Sequence, residues 1–216
     1  MKRINFLFLV LFCSLSSLIT IAQDIRLPAP DRKGGKPLMQ TLNQRKSVRS
    51  FSKSNLSQQQ LSDLLWAAWG YNRPEQKMRT APSARNTQEI DLYVALPSGV
   101  YLYEPSGHIL KEISKKDVRP LTGSQDFVGG AALNLVYVAD MTRAGKKEGE
   151  KITDADLLWP HANTGFIAQN VYLYCASANL GTVVRGLIPK DKLAPALGLK
   201  DHQVIILAQT VGILDN

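Results

Sequence analysis

The chain has 216 residues, 44% hydrophobic and 20% charged, with 26 Lys and Arg against 18 Asp and Glu and a formal charge of +8. That is enough chain for one domain with a substantial core, and its two cysteines exclude a disulfide framework. The basic balance favours anionic ligands, but the sequence has no zinc-ligand spacing, basic helix or aromatic-interleaved basic strand, so no nucleic-acid partner is expected.

Residues 1–22 read as a secretory signal peptide: Lys2 and Arg3, an apolar run from Phe6 to Phe12, then a Ser-rich stretch ending near Ala22. The protein is therefore expected to be exported, to the periplasm. The apolar run is shorter than the ~20 residues of a membrane span and gives way to Ser14, Ser16 and Ser17, so no stable membrane anchor is expected. Cys13 follows the bulky Phe12, which argues against lipid attachment. Cleavage leaves about 193 residues, a charge near +6 and Cys175 alone.

Residues 23–36, with Pro28, Pro30, Gly34 and Gly35, form an extended leader, and the domain spans residues 37–216. Leu38 to Gln44 makes a short helix that delivers Arg45-Lys46-Ser47-Val48-Arg49-Ser50-Phe51. In that run Arg45, Lys46 and Arg49 offer charged donors and Ser47 a hydroxyl suited to a phosphate oxygen. A solvated basic patch is the equal alternative from these residues alone. Ser57 and Gln60 form a capping box for a second helix, whose Leu61, Leu64, Leu65 and Ala68 share its inner face. Trp66 and Trp69 on it read first as core or interface residues. Tyr71 to Ala81 is almost devoid of apolar side chains and reads as an exposed, mobile loop.

Three strands follow, Asp91 to Leu96, Val100 to Glu104 and His108 to Ile113, separated by turns at Pro97 and Pro105. His108 reads as a solvated strand residue, and no metal site is expected. Ala132 to Ala139 is a continuous apolar run that suits a central buried strand. After the charged loop Lys146 to Lys151, Thr153 and Asp156 cap a short turn. His161 to Asn179 then makes the longest helix, apolar nearly all round, with Asn163, Gln169 and Asn170 in need of interior partners. Gly181 is placed as its left-handed cap. Pro189 to Leu197 reads as a short helix and Gln203 to Val211 as the last buried strand. These elements give an α+β fold, a mainly antiparallel sheet flanked by helices. No G-x-G-x-x-G or P-loop is present, and Ser83 lacks the G-x-S-x-G context of a hydrolase.

Three segments in order, Arg45 to Phe51, Ala81-Pro82-Ser83-Ala84-Arg85-Asn86-Thr87-Gln88, and Ala178 to Gly186, resemble the FMN-dependent nitroreductase family from Leu38 to Val211. The resemblance implies a dimeric, FMN-dependent oxidoreductase that moves two electrons as hydride through flavin N5, to or from a small organic substrate such as a quinone or nitroaromatic. Azoline-oxidising dehydrogenases belong to the same range. Arg45, Lys46 and Ser47 would hold the FMN phosphate and ribityl chain, and Arg49 the N1/O2 edge, where a cation stabilises the charge of the reduced ring. Pro82, Ser83 and Ala84 would approach the flavin from the partner subunit of a homodimer, and Asn86 would bond its pyrimidine edge. A turn at Val183, Val184, Arg185 and Gly186 would present backbone N–H groups to N5 and O4. Arg185 stands where relatives often carry an acidic or apolar residue, so substrate preference is expected to differ from the usual quinones and nitroaromatics; Arg49 and Arg185 are the candidate catalytic residues. Trp66 or Trp69 stacking on the flavin is a lesser implication.

Two features qualify that picture. After the last strand, Gly212-Ile213-Leu214 brings none of the basic residues that complete the family's phosphate site. NAD(P)H is the candidate electron donor, yet nicotinamide donors are scarce outside the cytoplasm. A secreted flavin-binding or interaction module without turnover is therefore the alternative.

Overall fold

A computed structural model describes residues 23–215. The signal expected over residues 1–22 lies outside the described residues. In chain order the elements are β1 (Ile25–Arg26), α1 (Leu38–Gln44), α2 (Gln58–Trp69), β2 (Tyr71–Arg73), β3 (Met78–Arg79), β4 (Ile90–Leu96), β5 (Gly99–Glu104), β6 (Ile109–Ser114), β7 (Leu133–Asp140), α3 (Leu158–Ser177), β8 (Leu180–Arg185), α4 (Lys190–Ala196) and β9 (Gln203–Ile213).

Seven strands form one sheet in the order β1-β6-β5-β4-β7-β9-β8, and every neighbouring pair is antiparallel. Period-two alternation divides each central strand between two cores. Leu92, Val94, Leu135 and Tyr137 face α2 and α3, where they meet Leu64, Leu65, Trp69, Ile167 and Val171. Tyr93, Ala95, Val136 and Val138 face the other way, toward Leu193 and Leu197 at α4. Burial on both faces explains why β7 reads as an unbroken apolar run rather than an alternating one.

Local chemistry sets the helix boundaries. Ser57 Oγ accepts the Gln60 N–H at 3.1 Å while Gln60 Oε1 accepts the Ser57 N–H at 2.9 Å, the reciprocal cap expected for α2. Thr153 and Asp156 make the second capping box, on the 3-10 turn Asp154–Leu157. α3 begins three residues before the expected His161 because Pro160 falls in its first turn, where its missing N–H would have had no intrahelical acceptor. It ends at Ser177, and Asn179, at φ 56°, takes the left-handed position assigned to Gly181. Asparagine tolerates that conformation, which frees Gly181 for another task.

Three further expectations change. Tyr71 to Ala81 is a small antiparallel hairpin of β2 and β3 rather than an open loop. Arg79 holds it, with its guanidinium 4.6 Å from the Trp69 ring centre and 4.7 Å from that of Tyr71, and with a bond to Trp69 O at 2.9 Å. His108 is half-buried, between Ser62 Oγ at 2.7 Å and Tyr103 OH at 2.9 Å. The polar residues of α3 are served largely within the chain: Asn163 meets Glu89, Asn170 donates to Ala67 O, and Gln169 is exposed.

The leader wraps rather than trails. β1 pairs with β6, Pro28 O accepts from Ser62 Oγ at 2.6 Å, and the Lys36 N–H reaches Ser177 Oγ at 2.8 Å. Lys36 Nζ then bonds Ala176 O, Asn179 Oδ1 and Gln44 Oε1, a cation at the negative end of α3.

Candidate functional site

The basic opening segment lies against the outer edge of the sheet. The Val48 N–H donates to Thr182 O at 2.9 Å, so the residues between α1 and Phe51 run beside β8. Lys46, Ser47 and Arg49 are exposed, Arg45 is half-buried, and Arg49 makes no ion pair among the described residues. Next to them is a cavity of about 460 Å³ lined in part by Lys36, Gln44, Lys46, Tyr172, Asn179 and Thr182. Cations, amides and hydroxyls around an open hollow suit an anionic ligand.

Phe51 locks the end of the segment. It bridges to Leu214 across the sheet edge and rests on the facing pair Gly181 and Gly212. A Cβ on Gly212 would lie 2.9 Å from Phe51 Cδ1, and one on Gly181 would lie 3.0 Å from Phe51 Cε1 and 3.1 Å from Val48 Cγ1. The ring also sits 5.8 Å from that of Phe127. Gly181 is therefore a seat for an aromatic ring, which is why it belongs to β8 and not to the end of α3.

Tyr172 joins three parts of this site, and sequence reasoning missed it. Its hydroxyl is 2.9 Å from Ser47 Oγ, accepts the Val184 N–H at 3.0 Å, and its ring lies 5.3 Å beneath the Arg45 guanidinium. Within a helix that is apolar nearly all round, one of two tyrosines carries no distinguishing signal.

Pro82, Ser83, Ala84 and Asn86 form a separate cluster. Three residues in this stretch, Arg85, Asn86 and Gln88, have positive φ near 50°. Side chains hold that conformation: Ser83 Oγ accepts the Gln88 N–H, Gln88 Nε2 donates to Asn86 Oδ1, and Arg79 Nε donates to Gln88 Oε1. Asn163 anchors the cluster to α3, accepting the Ala84 N–H at 3.0 Å and donating to the buried Glu89 carboxylate at 2.7 Å. Asn163 and Tyr172 are nine residues apart on one helix, about 13 Å along its axis. The two halves of the expected site thus hang from different levels of α3.

Of the expected turn over Val183, Val184, Arg185 and Gly186, the first three residues are instead the end of edge strand β8, and Gly186 follows it directly. Val184 points its N–H outward to Tyr172, so antiparallel alternation turns the Val183 and Arg185 N–H groups inward to β9. Of the four N–H groups, only that of Gly186 shares the outward phase without being committed to Tyr172.

Arg185 is not the open cation expected, because it is 5% exposed and its side chain is enclosed by protein groups. Its guanidinium donates to Thr210 Oγ1 at 3.0 Å, Thr122 O at 2.7 Å and Asn134 Oδ1 at 3.0 Å. Burial lowers its pKa to about 10, still far above neutrality, so it remains a charged strut beneath the sheet. Of the two tryptophans on α2 only Trp69 is enclosed in the core, while Trp66 is half-buried. Trp69 is buried with Nε1 on Ile90 O, and Trp66 Nε1 bonds Tyr71 O. Cys175 is buried and free, its thiol pKa pushed up by burial.

Comparison with known proteins supplies the family. Residues 42–213 match the Nitroreductase family. A Methanocaldococcus jannaschii protein named as a nitroreductase is 30% identical over 180 residues, covering 79% of this chain and 88% of that one. A crystal structure from Ralstonia eutropha JMP134, also named as a nitroreductase, superposes with a TM-score of 0.81 at 46% identity, over 89% of this chain and 90% of the other. A Desulfovibrio desulfuricans structure solved in complex with FMN shares the fold at 20% identity, with a TM-score of 0.58 over 84% of this chain and 88% of that one. The antiparallel sheet with its flanking helices is thus a nitroreductase-like fold, and the chain belongs to the nitroreductase family.

Proposed function

We propose that the protein is an exported FMN-dependent oxidoreductase that exchanges two electrons with a small organic substrate, a quinone, nitroaromatic or related acceptor. The observation that carries this reading is the basic segment itself: Lys46 lines an open cavity at the sheet edge, Arg45, Ser47 and Arg49 lie beside it in the same segment, and among the described residues none of the three cations has an acidic partner. Those residues fit the phosphate and ring edge of FMN, which when bound supplies the two-electron chemistry at N5.

In this reading Arg45, Lys46 and Ser47 bind the phosphate end and Arg49 places its charge at the N1/O2 edge. The Gly186 N–H faces N5. The chain's own contribution is position, electrostatics and exclusion of water. Pro82, Ser83, Ala84 and Asn86 serve the neighbouring protomer's site, consistent with the distance between Asn163 and Tyr172. Exposed Leu158, Trp159 and Phe166 on α3 and Leu38, Met39 and Leu42 on α1 would be covered in a homodimer. Export to the periplasm rests on residues 1–22 and calls for an electron donor available there, with NAD(P)H as the comparison reductant.

Titration of the full chain with FMN, followed by anaerobic reduction with dithionite and re-oxidation with and without a quinone, tests the activity. Tight FMN binding and faster re-oxidation with quinone are expected; a protein that binds no FMN overturns the reading. Sedimentation of the FMN complex at micromolar concentration tests the shared site, and a flavin-retaining monomer would exclude it.

A further inference from the structure

We propose that Tyr172 is a positioning residue that sets the direction of the hydrogen bond from Ser47, so that Ser47 donates to the phosphate of the ligand. The role rests on the reading of this segment as the FMN phosphate site. The argument begins with proton counting. The Val184 N–H can only donate, so the phenol oxygen of Tyr172 accepts there at 3.0 Å. One phenol proton remains, and Ser47 Oγ lies 2.9 Å away.

Two arrangements are open to that pair. If Ser47 donates to Tyr172, Ser47 shows only lone pairs to solvent and repels an anion. If Tyr172 donates to Ser47, the serine proton is turned outward, on the exposed side of the segment. A phosphate oxygen accepts, so it selects the second arrangement. The result is a directed chain, Val184 N–H to Tyr172 O–H to Ser47 O–H to phosphate, in which each bond polarises the next.

Both supports of the chain are rigid. Val184 is in β8, paired with β9, and Tyr172 is 9% exposed on α3. The Arg45 guanidinium over the Tyr172 ring brings a cation to the same place. The tyrosine thereby ties the phosphate end of the site to the strand that leads to Gly186.

Binding of FMN and of riboflavin, which lacks the phosphate, separates this role from general packing. Full-length wild type, Tyr172→Phe, Ser47→Ala and the double variant are compared by equilibrium titration. Each single change is expected to weaken FMN roughly 3–10-fold and to leave riboflavin within about twofold, with the double variant no weaker than about the worse single. Tyr172→Phe weakening both flavins equally, or single losses that multiply in the double variant, would overturn the role while leaving the flavin reading intact. Wild type that binds neither flavin overturns both. Should Tyr172→Phe not fold, Ser47→Ala still decides: equal losses for FMN and riboflavin would end the proposal.

Discussion

Gly181 and Gly212 face each other across β8 and β9, and the space left by their two missing side chains is filled by Phe51. The basic segment is thus fixed at one end by a ring seated on bare backbone. Gly212→Ala places a methyl 2.9 Å from Phe51 Cδ1 and 3.2 Å from its Cβ, too close for either to remain. The expected cost is about 1–3 kcal/mol of stability, the usual range for overpacking. FMN affinity should fall with it, because displaced Phe51 carries Arg49 along. Urea denaturation and FMN titration check this, and the FMN loss should persist at temperatures where the variant is fully folded.

Arg185→Met should act on stability and not on substrate preference. The change leaves Thr122 O without its guanidinium donor and strips one donor each from Asn134 and Thr210, an effect on the order of 2–4 kcal/mol after allowing for the desolvation that the charge no longer suffers. Arg185→Lys cannot reproduce the fork and should recover less than half of the loss. Denaturation midpoints measure both. A variant of normal stability whose KM alone has changed would return Arg185 to the substrate side.

Arg49→Gln should shift the reduction potential of the bound flavin. A guanidinium at the N1/O2 edge favours the reduced, negatively charged ring over the neutral oxidised one. Losing about 1–2 kcal/mol of that difference lowers the two-electron potential by tens of millivolts, since ~30 mV corresponds to ~1.4 kcal/mol. Affinity for oxidised FMN should drop much less. Redox titration of both proteins at one pH decides: an unchanged potential with collapsed FMN affinity would move Arg49 to the phosphate end.

His108 gives stability a dependence on acid. Ser62 Oγ donates its proton to Pro28 O, so His108 Nε2 donates to Ser62 and Nδ1 accepts from Tyr103, which defines a neutral ring. Burial lowers its pKa, against an opposing pull from Asp63. The unfolded chain therefore takes up this proton first as pH falls below ~6.5, and stability declines until the folded value is passed. His108→Gln should remove that part of the slope between pH 7.5 and 5.5. Thermal unfolding of both proteins across this range is the check, and parallel curves would show that the ring does not titrate as described.

Much of the architecture was legible because it is written in local rules. Capping boxes at Ser57 and Thr153 and the apolar run of β7 depend on residues near in sequence, and the five expected strands, β4 to β7 and β9, fell within a residue or two of their limits, whereas β1, β2, β3 and β8 were not foreseen. The site was less legible because its meaning depends on neighbours distant in sequence. Arg185 looks like a ligand cation until Thr122, Asn134 and Thr210 are seen around it. Gly181 resembles a helix cap until Phe51, 130 residues earlier, is found on top of it. The expected start of α3, His161, is three residues late because the position of Pro160 within the first turn was not visible from composition.

β8 is the outermost strand on its side of the sheet, and an exposed strand edge is an invitation to pair with any extended chain that passes. Here Val48 occupies the Thr182 carbonyl and Tyr172 occupies the Val184 N–H, so two of the groups a foreign strand would need are already taken. The contacts that shape the basic segment consequently also guard against aggregation. A mutation that frees the segment from β8 would do more than weaken a binding site: it would uncover a template for intermolecular sheet growth.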